Sequence, residues 1–311
     1  MADWDDLPPP IWGGSAAAIR NAVVYKKKLL VDADIGCFQA AFSSDGRVYL
    51  IGGTEFKYKK QALQYCEDHN LDVADIKQEF HPEPISHALH NLKAWLQKLN
   101  DKFPGAELEL YLTGKTNFRN EIYPEYKDNR KDGRVPEHLA ECKQYLVNRH
   151  GATISEMCEA DDLIATRSKS LGDKNCVVCT LDKDMDMIPG DHYNWSKDLE
   201  YTVSPEQGTR AFYRQLMTGD ATDNIPGLKG IGPAKAAKVI TDDLTDPHEM
   251  YQKVLKAYCK ADPMPEDGDA GEYYTRKIQE VSRNARLLWL QREPGEVWQP
   301  PVKKESNAKE S

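Results

Sequence analysis

Apolar and polar positions change their period several times along the chain, and the changes divide it into elements. "LLVDAD" at 29–34 is an apolar run without alternation that ends in carboxylates. It predicts a strand buried on both faces. "RVYLIGGTEFKYK" at 47–59 turns about Gly52 and Gly53 and predicts a hairpin. In "PISHALHNLKAWLQKLN", Ile85, Leu89, Leu92, Leu96 and Leu99 recur at spacings of three and four, the mark of a helix with one apolar face. "AELELYL", "GATIS" and "NCVVCT" read as further strands. Helices are predicted from Pro136 and over "EADDLIATRSKS". From about Gln207 onward the chain turns helical, with a glycine-rich hinge at "GLKGIGPAK".

Strands alternating with helices predict an α/β fold with a mainly parallel central sheet flanked by helices. The expected divisions are a flexible lead-in at 1–22 and an α/β domain at 23–206. Within that domain lies a polar, turn-rich segment at about 114–150. A helical region at 207–292 and a flexible tail at 293–311 follow.

Charge narrows the function. The chain of 311 residues has 41 Lys and Arg against 50 Asp and Glu, a net charge of −9. That excludes a general nucleic-acid coat but allows a local basic site or an acidic metal site. Seven scattered cysteines point to a reducing compartment, hence the cytoplasm. "MADWDDLPPP" is acidic and is not read as a signal peptide, and no apolar run reaches the ~18 residues of a membrane helix.

The acids carry the chemistry. Asp32 and Asp34 end one strand, and Asp182 and Asp184 end another. Glu159, Asp161 and Asp162 open a helix, and Asp220 and Asp223 open the helical region. Singly, such residues are turn formers or N-caps, and Asp186 is read that way. In a parallel sheet the strand ends converge on one site. About eight carboxylates in one small volume cannot all stay ionised without cations. Oxygen ligands suit Mg²⁺ or Mn²⁺, and two such ions suit phosphoryl displacement. A calcium loop from Asp182 fails because Met187 and Tyr193 stand where Gly and Glu belong. Zinc at "CVVC" fails because Cys176 and Cys179 would point to opposite faces of a strand.

Two basic stretches complement the acids. Lys115, Arg119, Lys127, Arg130, Lys131 and Arg134 alternate with Phe118, Tyr123 and Tyr126, a pattern for phosphates and unpaired bases. Glu121, Glu125, Asp128 and Asp132 offset much of that charge and leave a solvated loop as the competing reading. Lys229, Lys235 and Lys238 flank Gly230 and Gly232, where open backbone N–H groups can meet a phosphate; a plain helix hairpin is the alternative.

These motifs, in this order, resemble the 5′-3′ exonuclease and flap endonuclease family, particularly its bacteriophage members. The resemblance runs from about Leu29 to Ile240, through "VDADIGCFQAAF", "NFRNEIYPEYKDNRK", "EADDLIA", "TLDKDMDMI" and "MTGDATDNIPGLKGIGPAKAAKVI". It implies a PIN-like fold with a helical arch at 114–150 and a helix–three-turn–helix. The implied activity is two-metal hydrolysis of DNA near a free 5′ end, a flap or a nick, and of RNA in hybrids. Glu159, Asp161 and Asp182 would serve a first Mg²⁺ or Mn²⁺, supported by Asp32 and Asp162. Asp184, Asp220 and Asp223 would serve a second. Lys127 and Arg130 would hold the scissile phosphate, and Arg119 and Tyr126 would line the path of the 5′ strand. Lys229, Gly230, Ile231, Gly232, Lys235 and Lys238 would grip duplex, with K⁺ bound there. A monomer acting with replication proteins, in the host cytoplasm if phage-encoded, is the implied setting.

The chain departs from the family at Gly114, where Asp is usual, and at Gln39, where some members are basic. A missing carboxylate predicts that Gly114→Asp lowers the metal requirement, if the backbone there accepts a side chain. It also keeps open a branched-DNA binder with lost catalysis. A haloacid-dehalogenase-type phosphatase is the third reading, since "VDAD" and "GDATD" imitate its motifs.

Overall fold

The computed structural model describes residues 27–131 and 133–303, so the lead-in at 1–22 lies outside the described residues. The central sheet has six strands in the order β6-β5-β1-β7-β8-β9. They are β1 (Lys28–Asp32), β5 (Glu107–Leu112), β6 (Thr153–Ile154), β7 (Cys176–Cys179), β8 (Gly190–Asn194) and β9 (Leu199–Val203). All neighbours pair in parallel except β9, which folds back on β8. β1 and β7 lie in the middle, and their apolar residues are buried on both faces, as continuous apolar runs require. Cys176 and Cys179 enter different cores on opposite faces of the sheet.

Helices α1 (Ala33–Ser43), α3 (Ile85–Lys102) and α5 (Leu139–His150) cover one face. The apolar stripe of α3 is buried at Leu89, Leu92, Leu96 and Leu99. Helix α6 (Ala160–Leu171) covers the other face. Between α1 and α3 stands a second sheet, β3-β2-β4, made of β2 (Arg47–Ile51), β3 (Thr54–Phe56) and β4 (Lys77–Phe80). It packs on α2 (Lys59–His69) around Tyr49, Ile51, Ala62 and Cys66. The hairpin about Gly52 and Gly53 forms as its alternation predicts; both glycines have positive φ.

The remaining helices are α4 (Arg119–Ile122), α7 (Pro205–Thr218), α8 (Pro233–Val239), α9 (Pro247–Ala261) and α10 (Ala270–Leu288). The last four build a second core with Phe212, Leu216, Met250, Val254 and Val281. Ser204 and Gln207 cap α7 reciprocally, and Pro205 fills its first turn. No helix among the described residues is long and apolar enough to cross a membrane.

Two stretches differ from expectation. The 114–138 stretch does not stand off as an arch but is laced to the body. Lys127 N donates to Asp223 O at 3.0 Å, Asn129 Nδ2 to Ala221 O at 2.6 Å and Asn224 Nδ2 to Glu125 O at 2.7 Å. The part of the expected tail at 293–303 is also packed. Trp298 is 7% exposed against Phe212 and Tyr251, and Pro301 O meets His248 Nδ1 at 2.9 Å. A single Trp in a polar context is enough to anchor such a segment.

Candidate active site

Parallel register brings the acids together. Val31 of β1 lies beside Cys179 of β7, so both strands deliver their following residues to one sheet edge. There Thr180 Oγ1 donates to Asp32 Oδ2 at 3.1 Å, and Asp182 N donates to Thr180 Oγ1 at 3.0 Å. A 3₁₀ turn, Lys183–Met187, starts at Asp182, whose Oδ1 accepts from Asp184 N at 2.8 Å. Helix α6 enters the same edge with Glu159 as its N-cap and Asp161 in its first turn. After α7 a tight hairpin pairs Asp220 with Ile225 and presents Asp220 and Asp223. Gly219 and Gly227 permit that hairpin: a Cβ on Gly219 would lie 2.3 Å from Gly227 N, and one on Gly227 would lie 2.1 Å from Thr218 O.

The result is a cleft of about 840 Å³. Asp32, Asp34, Glu159, Asp161, Asp182, Asp184, Asp220 and Asp223 all line it, with Lys127 and Arg130. Crowding is visible in the acids themselves. Burial, then Asp34, pushes the Asp32 carboxyl up to about 7. Burial, then Asp182 and Asp220, pushes Asp184 up to about 7. Burial, then Asp32 and Glu159, holds Asp161 well above the usual range. Burial raises Asp223 too, against the opposing pull of Lys127 and Arg130.

Lys127 reaches into the cleft from a left-handed backbone conformation, φ 59°. Such a conformation costs a non-glycine residue on the order of 1 kcal/mol, and the hydrogen bond from its N–H to Asp223 O secures it. Its ammonium bonds Glu159 Oε1 and lies 3.6 Å from Asp223 Oδ2. Arg130 bonds Asp223 Oδ1, and its Nε donates to Thr222 O at 3.0 Å.

Three assignments from the sequence change. Arg119, expected along the strand path, is 1% exposed. Its Nη1 and Nη2 donate to Asp162 at 2.6 and 2.9 Å, its Nε to Leu287 O at 2.7 Å and its Nη2 also to Trp289 O at 3.0 Å. Asp162, expected to support a metal, is absorbed by that pair and by the N–H groups of Glu159 and Gln291. Burial raises its carboxyl, but Arg119 outweighs that and leaves it below the usual range. Tyr126 is 4% exposed, so its ring cannot stack on a base. Its hydroxyl donates to Asp223 Oδ2 at 2.9 Å and sits 3.3 Å from Glu159.

Gly114 changes meaning as well. Its N donates to Ser155 Oγ at 3.1 Å, and a Cβ there would lie 2.1 Å from Ser155 O. The proviso on Gly114→Asp therefore fails, because β5 leads directly into this contact.

Lys229, Gly230, Gly232, Lys235 and Lys238 are all exposed outside the cleft, and Ile231 is half-buried. Gly230 has φ +76°, and nothing lies within 4 Å of a Cβ built on it or on Gly232. Lys235 Nζ donates to Gly230 O at 2.7 Å. The sequence reading missed Asn117, whose Nδ2 donates to Glu159 Oε1 at 2.8 Å, and Gln215, which lines the cleft with Asp184. It also gave no role to Lys143, which pairs with Asp34. Each is a lone polar residue within an otherwise ordinary helix or loop, so only the fold singles it out.

Residues 76–213 match the family model described as "5′-3′ exonuclease, N-terminal resolvase-like domain". Over 189 residues the chain is 27% identical to flap endonuclease Xni of Shewanella pealeana, covering 56% of this chain and 67% of that one. Over these spans the chain is similar to 5′-3′ exonucleases and flap endonucleases. A second similar protein is the thermostable DNA polymerase I of Thermus caldophilus, 31% identical over 221 residues. That match covers 65% of this chain and only 24% of the polymerase. Of solved structures, T5 5′-exonuclease with bound zinc has a TM-score of 0.50 at 18% identity, covering 84% of this chain and 89% of that one. It supports the α/β architecture with a mostly parallel sheet that the resemblance implied.

Proposed function

We propose that this chain is a metal-dependent phosphodiesterase acting near the 5′ end of DNA, as a 5′-3′ exonuclease and flap endonuclease. One observation carries the reading. Two strand ends, a helix N-terminus and a hairpin deliver Asp32, Glu159, Asp161, Asp182, Asp184, Asp220 and Asp223 to one cleft that also holds Lys127 and Arg130.

The donors fit hard divalent ions. They are all carboxylates, and Asp32, Asp161 and Asp184 are raised by burial first and by neighbouring acids second, both of which a bound cation offsets. Among the described residues no three acidic, His or Cys side chains stand grouped as a ready cage. Rotation of side chains, with Lys127 leaving Glu159, would complete one. Glu159, Asp161 and Asp182 would hold one Mg²⁺ or Mn²⁺, with Asp32 in support; Asp184, Asp220 and Asp223 would hold another. Such ions, when bound, supply Lewis acidity toward phosphate and ease deprotonation of an attacking water.

The chain's own groups position the substrate. Lys127 and Arg130 exchange carboxylate for the scissile phosphate, which keeps each cation paired. Tyr126 and Asn117 fix Glu159 and Asp223 from behind. The open turn at Gly230–Gly232, with Lys229, Lys235 and Lys238, would grip duplex through phosphates as a helix–three-turn–helix, and its backbone carbonyls would hold K⁺. RNA in hybrids is accepted by the same phosphate contacts.

A 5′-labelled flap and a nicked duplex, incubated with and without Mg²⁺, test this. Short 5′ products that vanish in excess EDTA are expected. No product on flap, nick or hybrid at any Mg²⁺ or Mn²⁺ concentration overturns it in favour of a branched-DNA binder.

A further inference from the structure

A second charged surface lies outside the cleft, on the small sheet. Phe56 ends β3, and Lys57, Tyr58, Lys59 and Lys60 follow as α2 begins. All four are exposed, Tyr58 at 59%. Among the described residues none of the three lysines forms an ion pair; Lys57 Nζ stands 5.9 Å from the centre of the Tyr58 ring. Glu55 is the acid nearest in sequence, and it is likewise unpaired.

The placement works against the stability of the helix. Lys59 and Lys60 occupy the first turn of α2, while Glu67 and Asp68 occupy its last. A helix favours acids at its N-terminus and bases at its C-terminus by about 0.3–1 kcal/mol each. Here the first turn carries two bases and no acid, and the last carries Glu67 and Asp68 beside His69. Charges chosen for solubility or helix stability would lie the other way round, in a chain whose net charge is −9.

The sheet is fastened to the segment that supplies Lys127 and Arg130 to the cleft. Arg134 pairs with the buried Asp45 at the foot of β2, and its guanidinium lies 3.3 Å from the centre of the Phe80 ring on β4. His138 Nε2 meets Glu83 O at 2.6 Å. Lys127 and Arg130 stand on that same segment. From β4 across β2 to β3 is two strand spacings, about 10 Å. A strand of nucleic acid crosses that width in roughly three nucleotides.

We propose that Lys57, Lys59 and Lys60 form a second binding surface for the phosphate backbone of the nucleic acid whose end enters the cleft, with Tyr58 available to an unpaired base. The charge complements a polyanion, and the helix N-terminus adds partial positive charge behind the lysines. This inference rests on the nuclease reading for the identity of the ligand, but binding tests it without cleavage.

The test compares the full chain with its Lys57→Gln/Lys59→Gln/Lys60→Gln variant and with a Lys→Arg variant at the same positions. Affinity for a labelled duplex with a 5′ overhang is measured in EDTA across a range of NaCl concentrations. The Gln variant melts no lower than the natural chain, since it removes unfavourable charges from a helix N-terminus. Each lost phosphate contact lowers the salt slope by about 0.9, so a fall of about two to three is expected, with at least tenfold weaker binding at low salt. The Arg variant keeps the natural slope. The rate of a single turnover at saturating DNA stays within a few-fold of the natural chain. An unchanged slope and affinity in the Gln variant overturn the proposal and leave an acidic protein surface as the ligand to test. If the natural chain cuts nothing but the slope still falls, the nuclease reading fails and this surface stands.

Discussion

Two regions of the central sheet treat carboxylates in opposite ways. In the first half of β5, away from the cleft, Glu109 accepts from Arg167 Nε and Nη2 at 2.8 Å, Lys28 Nζ at 2.7 Å and Tyr111 Oη at 2.8 Å. These partners, Arg167 first, hold its carboxyl down at about 2 despite partial burial. At the edge where β1 and β7 end, acids face acids, and Asp32 and Asp184 rise to about 7. One strand direction thus separates a stabilising region from a reactive edge. The first is finished by the chain itself; at the second Lys127, Arg130 and Lys143 pair with Glu159, Asp223 and Asp34, and Asp32, Asp161 and Asp184 are left crowded against other acids.

The sharpest way to break this comparison is Asp182→Asn. Asp182 adds to the raised state of Asp32, Asp161 and Asp184 alike, so it sits at the centre of the repulsion. Asparagine keeps an oxygen for Asp184 N. Cleavage of a 5′ flap should fall by about 100-fold or more. The melting point in metal-free buffer should rise, by on the order of 1 kcal/mol of stability. A variant that cuts at the natural rate would mean that the reactive edge is only a crowded surface.

Gly114→Asp sharpens it next. An added acid at a cation-binding edge would lower the metal requirement if space allowed. The contact with Ser155 O predicts instead a loss of about 1–3 kcal/mol of stability. Gly114→Ala should lose nearly as much, read by thermal melting, because the clash begins at Cβ. Gly114→Asp with natural stability and a lower Mg²⁺ midpoint would restore the missing-ligand account.

The smallest effect belongs to the paired region. Glu109 has a folded pKa below its unfolded value of about 4.3. Its contribution is therefore complete above about pH 4.3 and is lost as pH falls toward about 2. Glu109→Gln should cost no more than about 1 kcal/mol at pH 7, since the pairs are partly solvated. The difference from the natural chain should shrink across that acid window. A constant difference from pH 7 down to pH 2 would remove Glu109 from the account.

How legible each residue was in the sequence depends on how far away its partners lie. Asp32, Asp182 and Asp184 announce themselves because an apolar run delivers them to a strand end within two or three residues. Glu159 and Asp161 open a helix, which is equally local. Arg119 in "NFRN" looks the same whether it meets DNA or a buried carboxylate 43 residues away at Asp162. Tyr126 likewise reads as a stacking ring until its hydroxyl is seen on Asp223, 97 residues on. Gly114 hides its reason in the backbone of Ser155. The strands β4 and β8 escaped because "KQEF" and "GDHYN" carry too much polarity to show an apolar period, whereas "LEYTV" of β9 alternates apolar and polar and was legible as a strand.

The buried pair of Arg119 and Asp162 has a consequence for the order in which the protein is made. Arg119 ends on carbonyls that lie 168 and 170 residues later, at Leu287 and Trp289, and Asp162 takes its N–H from Gln291, 129 residues later. At about 5–20 residues per second, Arg119 leaves the ribosome roughly ten to thirty seconds before those groups exist. During that interval every acid of the cleft has been synthesised up to Asp223, yet the support behind Glu159 is unfinished. A chain broken off before residue 287 would carry the whole acidic edge and none of the backbone that steadies it. The end of translation, rather than the appearance of the last cleft acid, is then the moment at which this edge acquires its fixed shape.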